Sequence, residues 1–323
     1  MASLVPGTTA TQKHNSIATN IAVPATVSIS SVFAENFATE CYRLEAKLQK
    51  CGRDPIVVAF DTEFPGTIFG GYNPGATPEE SYKILKANVD STDIIQLGLT
   101  LKNPADNGVY DVWGFNLKDF NLSRGDPHNP DSIKLLKQQG IDFEKNAKDG
   151  IDCKTFGKFL NLSGLFNKKR LVTWIGFHTP YDFGYMIKIL SGKPLPEKLS
   201  DFHNLVSRYF GTQVYDLKYV VKSLPYEARL YGGLNKIAET LKVDRVAGRC
   251  HQAGADSLLI MQTYESVLNQ FFPAKSLGYG YASQLFGLEI AHPNYYGSQG
   301  CNSAPGNYLP QAMMPRHGFK YGY

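Results

Sequence analysis

The sequence predicts one α/β domain built on a central mixed β-sheet flanked by helices. Three features indicate this fold class: a β-branched apolar run at 56–64, strand-like segments at 93–101 and 110–115, and a later alternation of strands with amphipathic helices. A helix comes first, several strands follow, and strands and helices then mix along the chain. That order suits a mixed sheet with helices packed on its faces.

The individual elements follow from the spacing of apolar residues. Apolar residues at helical spacing predict helices at 33–48, 132–139, 153–160, 180–190, 233–241 and 255–268. Short apolar and β-branched runs predict strands at 56–64, 93–101, 110–115 and 171–178, with a turn at 103–108. We expect 1–32 to be a disordered N-terminal arm, 33–288 the folded domain, and 289–323 a low-complexity tail rich in Gly and Tyr.

Composition limits the classes of protein to which the chain can belong. Of its 323 residues, 43% are hydrophobic and 19% charged, and the net charge of +4 is too small to argue for a polyanionic partner. No apolar run reaches the roughly 18 residues of a membrane span, and the N-terminus lacks a secretory signal, so we expect no membrane partner. Five cysteines without a C-x-x-C pair predict reduced thiols in a cytoplasmic protein, with nuclear entry left open. Cys250 beside His251 could bind zinc, but the sequence has no second such pair.

Two acids end the first strand. Asp61 and Glu63 are two positions apart, so the period of a strand places both carboxylates on one face. Adjacent carboxylates repel unless a cation lies between them, and oxygen ligands suit Mg²⁺ or Mn²⁺. Taken alone, the pair is more often two solvated acids at the end of a strand.

Two further acids lie on apolar helical stripes. Asp182 shares a face with Tyr185 and Ile189, and Asp256 shares one with Leu259 and Thr263. An acid on such a stripe points inward, where an unpaired charge is costly. Each acid could instead be favoured simply by the helix dipole near an N-terminus.

His251 precedes Asp256 by five residues. In a continuous helix the two would differ by about 140° in direction, but Gly254 can interrupt the helix and leave His251 on the preceding loop, leaning over the acids. A histidine placed there can act as a general base near neutral pH. The alternative is a loop histidine without a role.

The four acids and His251 together are more specific than any of them alone. Their order is that of the DEDD exonuclease superfamily: D-x-E on a strand, an inward Asp on a later helix, and H-x₄-D entering a late helix. Gln252 occupies the position at which the tyrosine subtype has its tyrosine, so the sequence fits the histidine subtype. The segments DTEFPG, IIQLGLT, YDFGY and HQAGADSLL, which begin at Asp61, Ile94, Tyr181 and His251, resemble the catalytic deadenylase subunits of the eukaryotic CCR–NOT complex.

The resemblance implies both a fold and an activity. It implies an RNase H-like, DEDD-type exonuclease domain over 33–288 that shortens mRNA poly(A) tails 3′→5′ by two-metal hydrolysis and releases 5′-AMP. It implies that His251 is the general base. It also implies that two Mg²⁺ or Mn²⁺ ions are held by four acids, Asp61, Glu63, Asp182 and Asp256. The implied partners are poly(A) RNA, the large helical scaffold subunit of the complex and a second nuclease subunit.

We expect the RNA substrate to be bound mainly by stacking of its bases, because the net charge of the protein is modest. Phe64, directly after Glu63, and His178, before the second catalytic helix, are candidate walls for the terminal bases, although Phe64 could equally belong to the core. Two rival functions remain: a catalytically inert scaffold with the same fold, and a DNA or oligonucleotide exonuclease. The presence of all four acids and the histidine argues against the first, and the extended motifs argue against the second.

Overall fold

A six-stranded mixed sheet forms the centre of the protein. The structure is a computed structural model, and it describes residues 26–71, 73–102, 109–166, 170–274 and 276–290. Its strands are β1 Thr26–Val32, β2 Ile56–Glu63, β3 Gln96–Lys102, β4 Val109–Asn116, β5 Val172–Gly176 and β6 Val214–Asp216. Their order across the sheet is β1-β4-β3-β2-β5-β6. The β1–β4, β2–β5 and β5–β6 pairs are parallel, and the β2–β3 and β3–β4 pairs are antiparallel. The predicted mixed α/β sheet is therefore confirmed.

Helices cover both faces of the sheet. Alternate residues of β2 enter different cores: Val58 and Phe60 pack with the helices on one face, and Ala59 packs with those on the other. The helices are α1 Phe37–Lys50, α2 Pro78–Ser91, α3 Pro130–Gln138, α4 Phe143–Asp149, α5 Cys153–Leu162, α6 Pro180–Ser191, α7 Leu199–Phe210, α8 Leu217–Lys222, α9 Leu234–Thr240 and α10 Ala253–Phe271. The first face carries α1, α2, α5, α6 and α7, and the second carries α8, α9 and α10.

The predicted N-terminal arm over 1–32 is too long. Thr26–Val32 form the edge strand β1, which pairs in parallel with β4, and the backbone oxygen of Val32 accepts a hydrogen bond from Asn116 Nδ2. The strand is mostly serine and threonine, so its sequence carries little apolar alternation, and its partner strand supplies the order instead. The rest of the predicted arm and nearly all of the predicted tail, 1–25 and 291–323, lie outside the described residues, as does the predicted turn at 103–108.

Several helix boundaries differ from the prediction, and two long helices, α2 and α7, were not predicted. The first helix begins at Phe37 rather than at residue 33, because Asn36 Oδ1 accepts the backbone N–H of Phe33 in a preceding turn. Helix α2 begins with a capping box in which the Thr77 hydroxyl accepts from the Glu80 backbone while the Glu80 carboxylate accepts from the Thr77 backbone. Short elements such as β6 have too few residues to show a period.

Two facing glycines allow α10 to approach the sheet. Gly98 of β3 and Gly114 of β4 are paired in register, and Gly98 is also paired with Asp61 of β2. The first turn of α10, at Ala253 and Gly254, lies against these two glycines, and a methyl group on Gly98 would overlap the backbone of Ala253. The glycine pair thus sets the height of α10 above β2, where Asp61 lies.

Candidate active site

The carboxyl end of β2 carries the first two acids of the site. Asp61 and Glu63 lie on the face of the sheet that α10 covers, because they keep the alternation that places Ala59 there. Thr62, between them, points to the opposite face, towards α6. This arrangement agrees with the prediction that the two carboxylates lie on one face of the strand.

Helix α10 brings a third acid to the pair. Asp256 lies in the first turn of the helix, which the glycine contacts hold close to the sheet. One carboxylate oxygen from each of Asp61, Glu63 and Asp256 lies within 4.8 Å of the others. Glu63 and Asp256 are almost fully buried, whereas Asp61 is partly exposed. Three oxygens that converge in this way form a candidate site for a hard divalent cation.

Asp182 reaches the site from the other face of the sheet. Helix α6 begins with Pro180 at its first position, and Asp182 lies in its first turn. Asp182 Oδ1 accepts two hydrogen bonds from Thr62, one from the backbone N–H at 2.9 Å and one from the hydroxyl at 2.5 Å. Asp182 therefore lies beside the group of three acids and is not one of the three whose oxygens converge within 4.8 Å.

A buried carboxylate that the sequence did not reveal fixes the start of α6. Asp216, at the end of β6, accepts hydrogen bonds from the backbone N–H groups of His178 and Thr179 at 2.9 Å and from the Thr179 hydroxyl at 3.1 Å. These bonds hold the loop between β5 and α6, and thus the position of Asp182. An aspartate in a three-residue strand has no sequence pattern that distinguishes it from a surface acid.

Burial and mutual repulsion dominate the electrostatics of the acids. Burial, followed by the charges of Asp182, Asp256 and Glu63, raises the pKa of Asp61 well above its usual range. Burial and the charges of Asp256 and Asp182 do the same for the pKa of Glu63. Burial also raises the pKa of Asp182 to about 7, although its hydrogen bonds with Thr62 act in the opposite direction. The cluster is therefore short of positive charge.

Arg245 supplies part of that charge and was missed by the sequence reasoning. Its guanidinium forms an ion pair with Asp256 Oδ1 and donates to Asn235 Oδ1 at 2.9 Å. Its charge also opposes the rise in the pKa of Asp61. The arginine lies on the loop between α9 and α10, where no periodic pattern could indicate that it points inward.

His251 lies on the same loop, directly before α10. Its φ is +57°, and its backbone N–H donates to Asp256 Oδ2 at 2.8 Å. A ring nitrogen of His251 lies within 4.8 Å of an Asp256 carboxylate oxygen. The loop position agrees with the prediction, but its predicted cause is wrong: Gly254 lies inside the helix, which begins at Ala253 after Gln252. The helix start, rather than a glycine interruption, separates His251 from the helix.

The two predicted base-stacking residues have different surroundings. The Phe64 ring stacks on Tyr181, with ring centres 5.2 Å apart and planes 14° apart, and it also contacts Tyr185. The His178 and Phe286 rings pack in a T-shaped arrangement, with ring centres 5.2 Å apart. Burial, together with the charge of Lys218, lowers the pKa of His178 to about 4. Phe64 thus packs partly into the core beside Glu63. A stacking role for either residue stays a prediction.

The comparison with family models decides the identity. Residues 32–158 and 161–260 match the model of the CAF1 family of ribonucleases. The chain belongs to the CAF1 ribonuclease family. The matched region includes every acid of the site together with Arg245 and His251.

Relatives of this CAF1-family ribonuclease span most of the chain. It is 39% identical to the probable CCR4-associated factor 1 homolog 7 of Arabidopsis thaliana, over 82% of this chain and 94% of the relative. It is 38% identical to the poly(A) ribonuclease pop2 of Schizosaccharomyces pombe, over 72% of this chain and 68% of the relative.

Solved structures of related proteins share the fold. Pop2p of S. pombe, in a Mg²⁺- and Mn²⁺-bound form, matches with a TM-score of 0.69 and 35% identity, covering 80% of this chain and 99% of Pop2p. CAF1 co-crystallized with the yeast NOT1 MIF4G domain matches with a TM-score of 0.59 and 26% identity, over 80% and 96% of the two chains. The predicted RNase H-like exonuclease fold is therefore confirmed.

The residues of this CAF1-family site fit divalent metal ions. Three converging carboxylate oxygens, two of them from nearly buried residues, are hard ligands, and a cation among them would relieve the repulsion that helps to raise the pKa values of Asp61 and Glu63. None of the four cysteines that the structure describes forms a disulfide, and Cys301 lies outside the described residues. Within the described part of the chain, every helix is too short or too polar to cross a membrane.

Proposed function

We propose that this protein is a 3′→5′ exoribonuclease that shortens poly(A) tails by metal-dependent hydrolysis and releases 5′-AMP. The observation that carries the proposal is the convergence of Asp61, Glu63 and Asp256, with Asp182 tied to the strand between the first two. The relatives that cover most of this chain include a poly(A) ribonuclease, and a solved relative was obtained in a Mg²⁺- and Mn²⁺-bound form.

The four acids share one part in the proposed mechanism, and two neighbouring residues position them. Asp61, Glu63, Asp182 and Asp256 would hold two divalent metal ions, Mg²⁺ or Mn²⁺. Such ions, when bound, lower the pKa of a coordinated water and offset the charge that develops on the phosphate. Thr62 orients the Asp182 carboxylate, and Asp216 fixes the loop from which α6 starts.

His251 is the proposed base. A ring nitrogen beside the Asp256 carboxylate can accept the proton of the attacking water, and the backbone N–H of the same residue orients that carboxylate. Its position on the loop before α10 leaves the ring partly exposed, so that the proton can leave to solvent. The 3′ end of the RNA would enter from the side of Phe64 and His178.

A hydrolysis assay tests the proposal. The purified full chain would be incubated with 5′-labelled oligo(A), oligo(U) and oligo(dA), with Mg²⁺, with Mn²⁺, and with a chelator. We expect oligo(A) to shorten stepwise from its 3′ end only when metal is present. Asp61→Asn should abolish the ladder, whereas Asp54→Asn, which removes an exposed acid at the other end of β2, should not.

The assay also separates the two alternative functions. An inert scaffold would leave oligo(A) intact in both metals while the wild-type chain remains folded. A DNA exonuclease would degrade oligo(dA) at least as fast as oligo(A). Preference for oligo(U) over oligo(A) would contradict the assignment to poly(A) while leaving ribonuclease activity in place.

We also propose a place for the enzyme in a larger assembly. A CAF1 protein with the same fold was co-crystallized with a NOT1 MIF4G domain, which supports docking of this chain on a large helical scaffold subunit and, through it, beside a second nuclease. A cytoplasmic site of action, extending to the nucleus, fits this role. Binding of the full chain to a recombinant scaffold domain of this type, measured by calorimetry, should be retained in Asp61→Asn, because docking does not need catalysis. Failure of the wild-type chain to bind would contradict this part of the proposal.

A further inference from the structure

We propose that Cys250, His251 and Asp256 form a second cation site, selective for a thiophilic divalent ion such as Zn²⁺. Cys250 Sγ, a ring nitrogen of His251 and a carboxylate oxygen of Asp256 all lie within 4.8 Å of one another. The cluster lies at the junction of the α9–α10 loop with α10. It shares Asp256 with the group of three acids but adds two softer ligands.

The ligand types distinguish this cluster from the acid group. Sulfur, imidazole nitrogen and one carboxylate oxygen together are a typical Zn²⁺ set, and three protein ligands leave a fourth position for water. Asp61 and Glu63 offer oxygen alone, which suits Mg²⁺ or Mn²⁺. Ligands of a tetrahedral zinc ion lie about 3.3–3.8 Å apart, so the three atoms need to close by at most about 1.5 Å.

The surroundings allow this small closure. Cys250 and His251 belong to a loop rather than to a helix, and Gly248, which lies just before them, has a φ of +71°. Asn235 Nδ2 donates to Cys250 Sγ at 3.0 Å, which orients the sulfur. The His251 backbone N–H holds Asp256 Oδ2 at 2.8 Å. Two of the three ligands are thus already oriented by neighbours.

Occupation of this site would interfere with the proposed hydrolysis, and this consequence rests on the proposed function. Asp256 would be drawn to the second site, and the His251 ring would lose the lone pair with which it accepts a proton. The cluster would therefore act as an inhibitory zinc site, and its sensitivity would depend on the sulfur of Cys250. A zinc ion bound only by the acids would not depend on that sulfur.

A binding experiment tests the site without relying on catalysis. Co²⁺ would be titrated into the full chain, and the near-ultraviolet thiolate-to-cobalt charge-transfer band recorded. We expect the band in the wild-type chain, in Asp61→Asn, and in Cys41→Ser, which removes a thiol whose pKa burial raises to about 12. We expect Cys250→Ser to lack it. Absence of the band in the wild-type chain, or its persistence in Cys250→Ser, would overturn the proposal.

An inhibition experiment tests the consequence. Hydrolysis of oligo(A) at fixed Mg²⁺ would be followed while Zn²⁺ is added. Cys250→Ser should match the wild-type rate without zinc and need at least tenfold more Zn²⁺ for half inhibition, whereas Cys41→Ser should behave as wild type. Equal inhibition of the wild-type chain and Cys250→Ser would rule out an inhibitory role. If the chain hydrolyses no RNA, the cobalt titration still decides whether the site exists.

Discussion

Gly98 of β3 lies directly beneath Ala253, the first residue of α10, with no room for a side chain between them. The contact is backbone against backbone, so the helix cannot yield by a change of rotamer. We expect Gly98→Ala to lift the first turn of α10 and move Asp256 away from Asp61. The rate of oligo(A) hydrolysis should fall at least 100-fold, because displacements of about 1 Å at an active site have effects of this size. Gly278→Ala, at a glycine with open space around it, is the control and should leave the rate unchanged.

Arg245 should stabilise the metal-free protein. Its ion pair with Asp256 has both side chains largely buried, with 19% and 9% exposed, so Arg245→Met should lower the free energy of unfolding by about 3 kcal/mol in a chelator. Saturating Mg²⁺ should narrow the difference, because the ions supply the missing charge. Chemical denaturation with and without Mg²⁺ measures both effects. Arg249→Met, an exposed position on the same loop, is the matched control. An equal loss with and without Mg²⁺ would mean that Arg245 acts only through packing.

The stability of the metal-free protein should fall as the pH rises. The pKa of Asp182 is about 7 in the folded chain against an ordinary value of 3.8, so the folded state binds the proton more tightly than the unfolded state. The stability linked to this proton is complete below about pH 4 and is lost as the pH rises through 7. Asp61 and Glu63, whose pKa values are also raised, act in the same direction. Melting temperatures in a chelator from pH 5 to 8 should therefore decrease, and Mg²⁺ should flatten the curve. A flat curve in the chelator would contradict the raised pKa values.

Thr62 should tune metal affinity through Asp182. Thr62→Val removes the hydroxyl that donates to Asp182 Oδ1 but keeps the backbone donor and the shape of the side chain. Loss of a bond that orients a metal ligand typically costs about 10–100-fold in metal affinity. The Mg²⁺ concentration for half-maximal hydrolysis should rise by at least tenfold. Thr62→Ser, which retains the hydroxyl, should remain within about twofold of wild type.

His251 should affect turnover rather than substrate binding. His251→Ala removes the proposed base but keeps the backbone N–H that contacts Asp256. We expect kcat for oligo(A) to fall by about 10²–10⁴-fold with little change in KM. Steady-state kinetics of the wild-type and variant chains separate the two constants. A variant with normal kcat would show that the ring has no catalytic part.

Local periodicity was enough to predict four of the six strands, β2 to β5, and the four acids of the site. The alternation along β2 placed Asp61 and Glu63 on one face, and the apolar stripes of α6 and α10 marked Asp182 and Asp256 as inward-facing. The sequence could not show that Asp182 approaches from the opposite face, because that depends on which side of the sheet α6 covers.

The residues that were missed depend on contacts between distant parts of the chain. Arg245 lies on an irregular loop, and Asp216 lies in a strand of three residues, so neither has a pattern that indicates its direction. The strand β1 was assigned to the arm because its serines resemble those of the preceding residues, whereas its order comes from pairing with β4. In each case the determining interaction is tertiary rather than local.

The like-charged cluster at the end of β2 has a consequence for the lifetime of the protein. Divalent cations held in the proposed way would bind the folded arrangement of these carboxylates and not the dispersed acids of the unfolded chain, so each bound cation would lower the fraction of molecules that are open to proteases. Newly made chains without metal would be digested faster than loaded ones. The supply of magnesium or manganese would then set the amount of this enzyme as well as its rate.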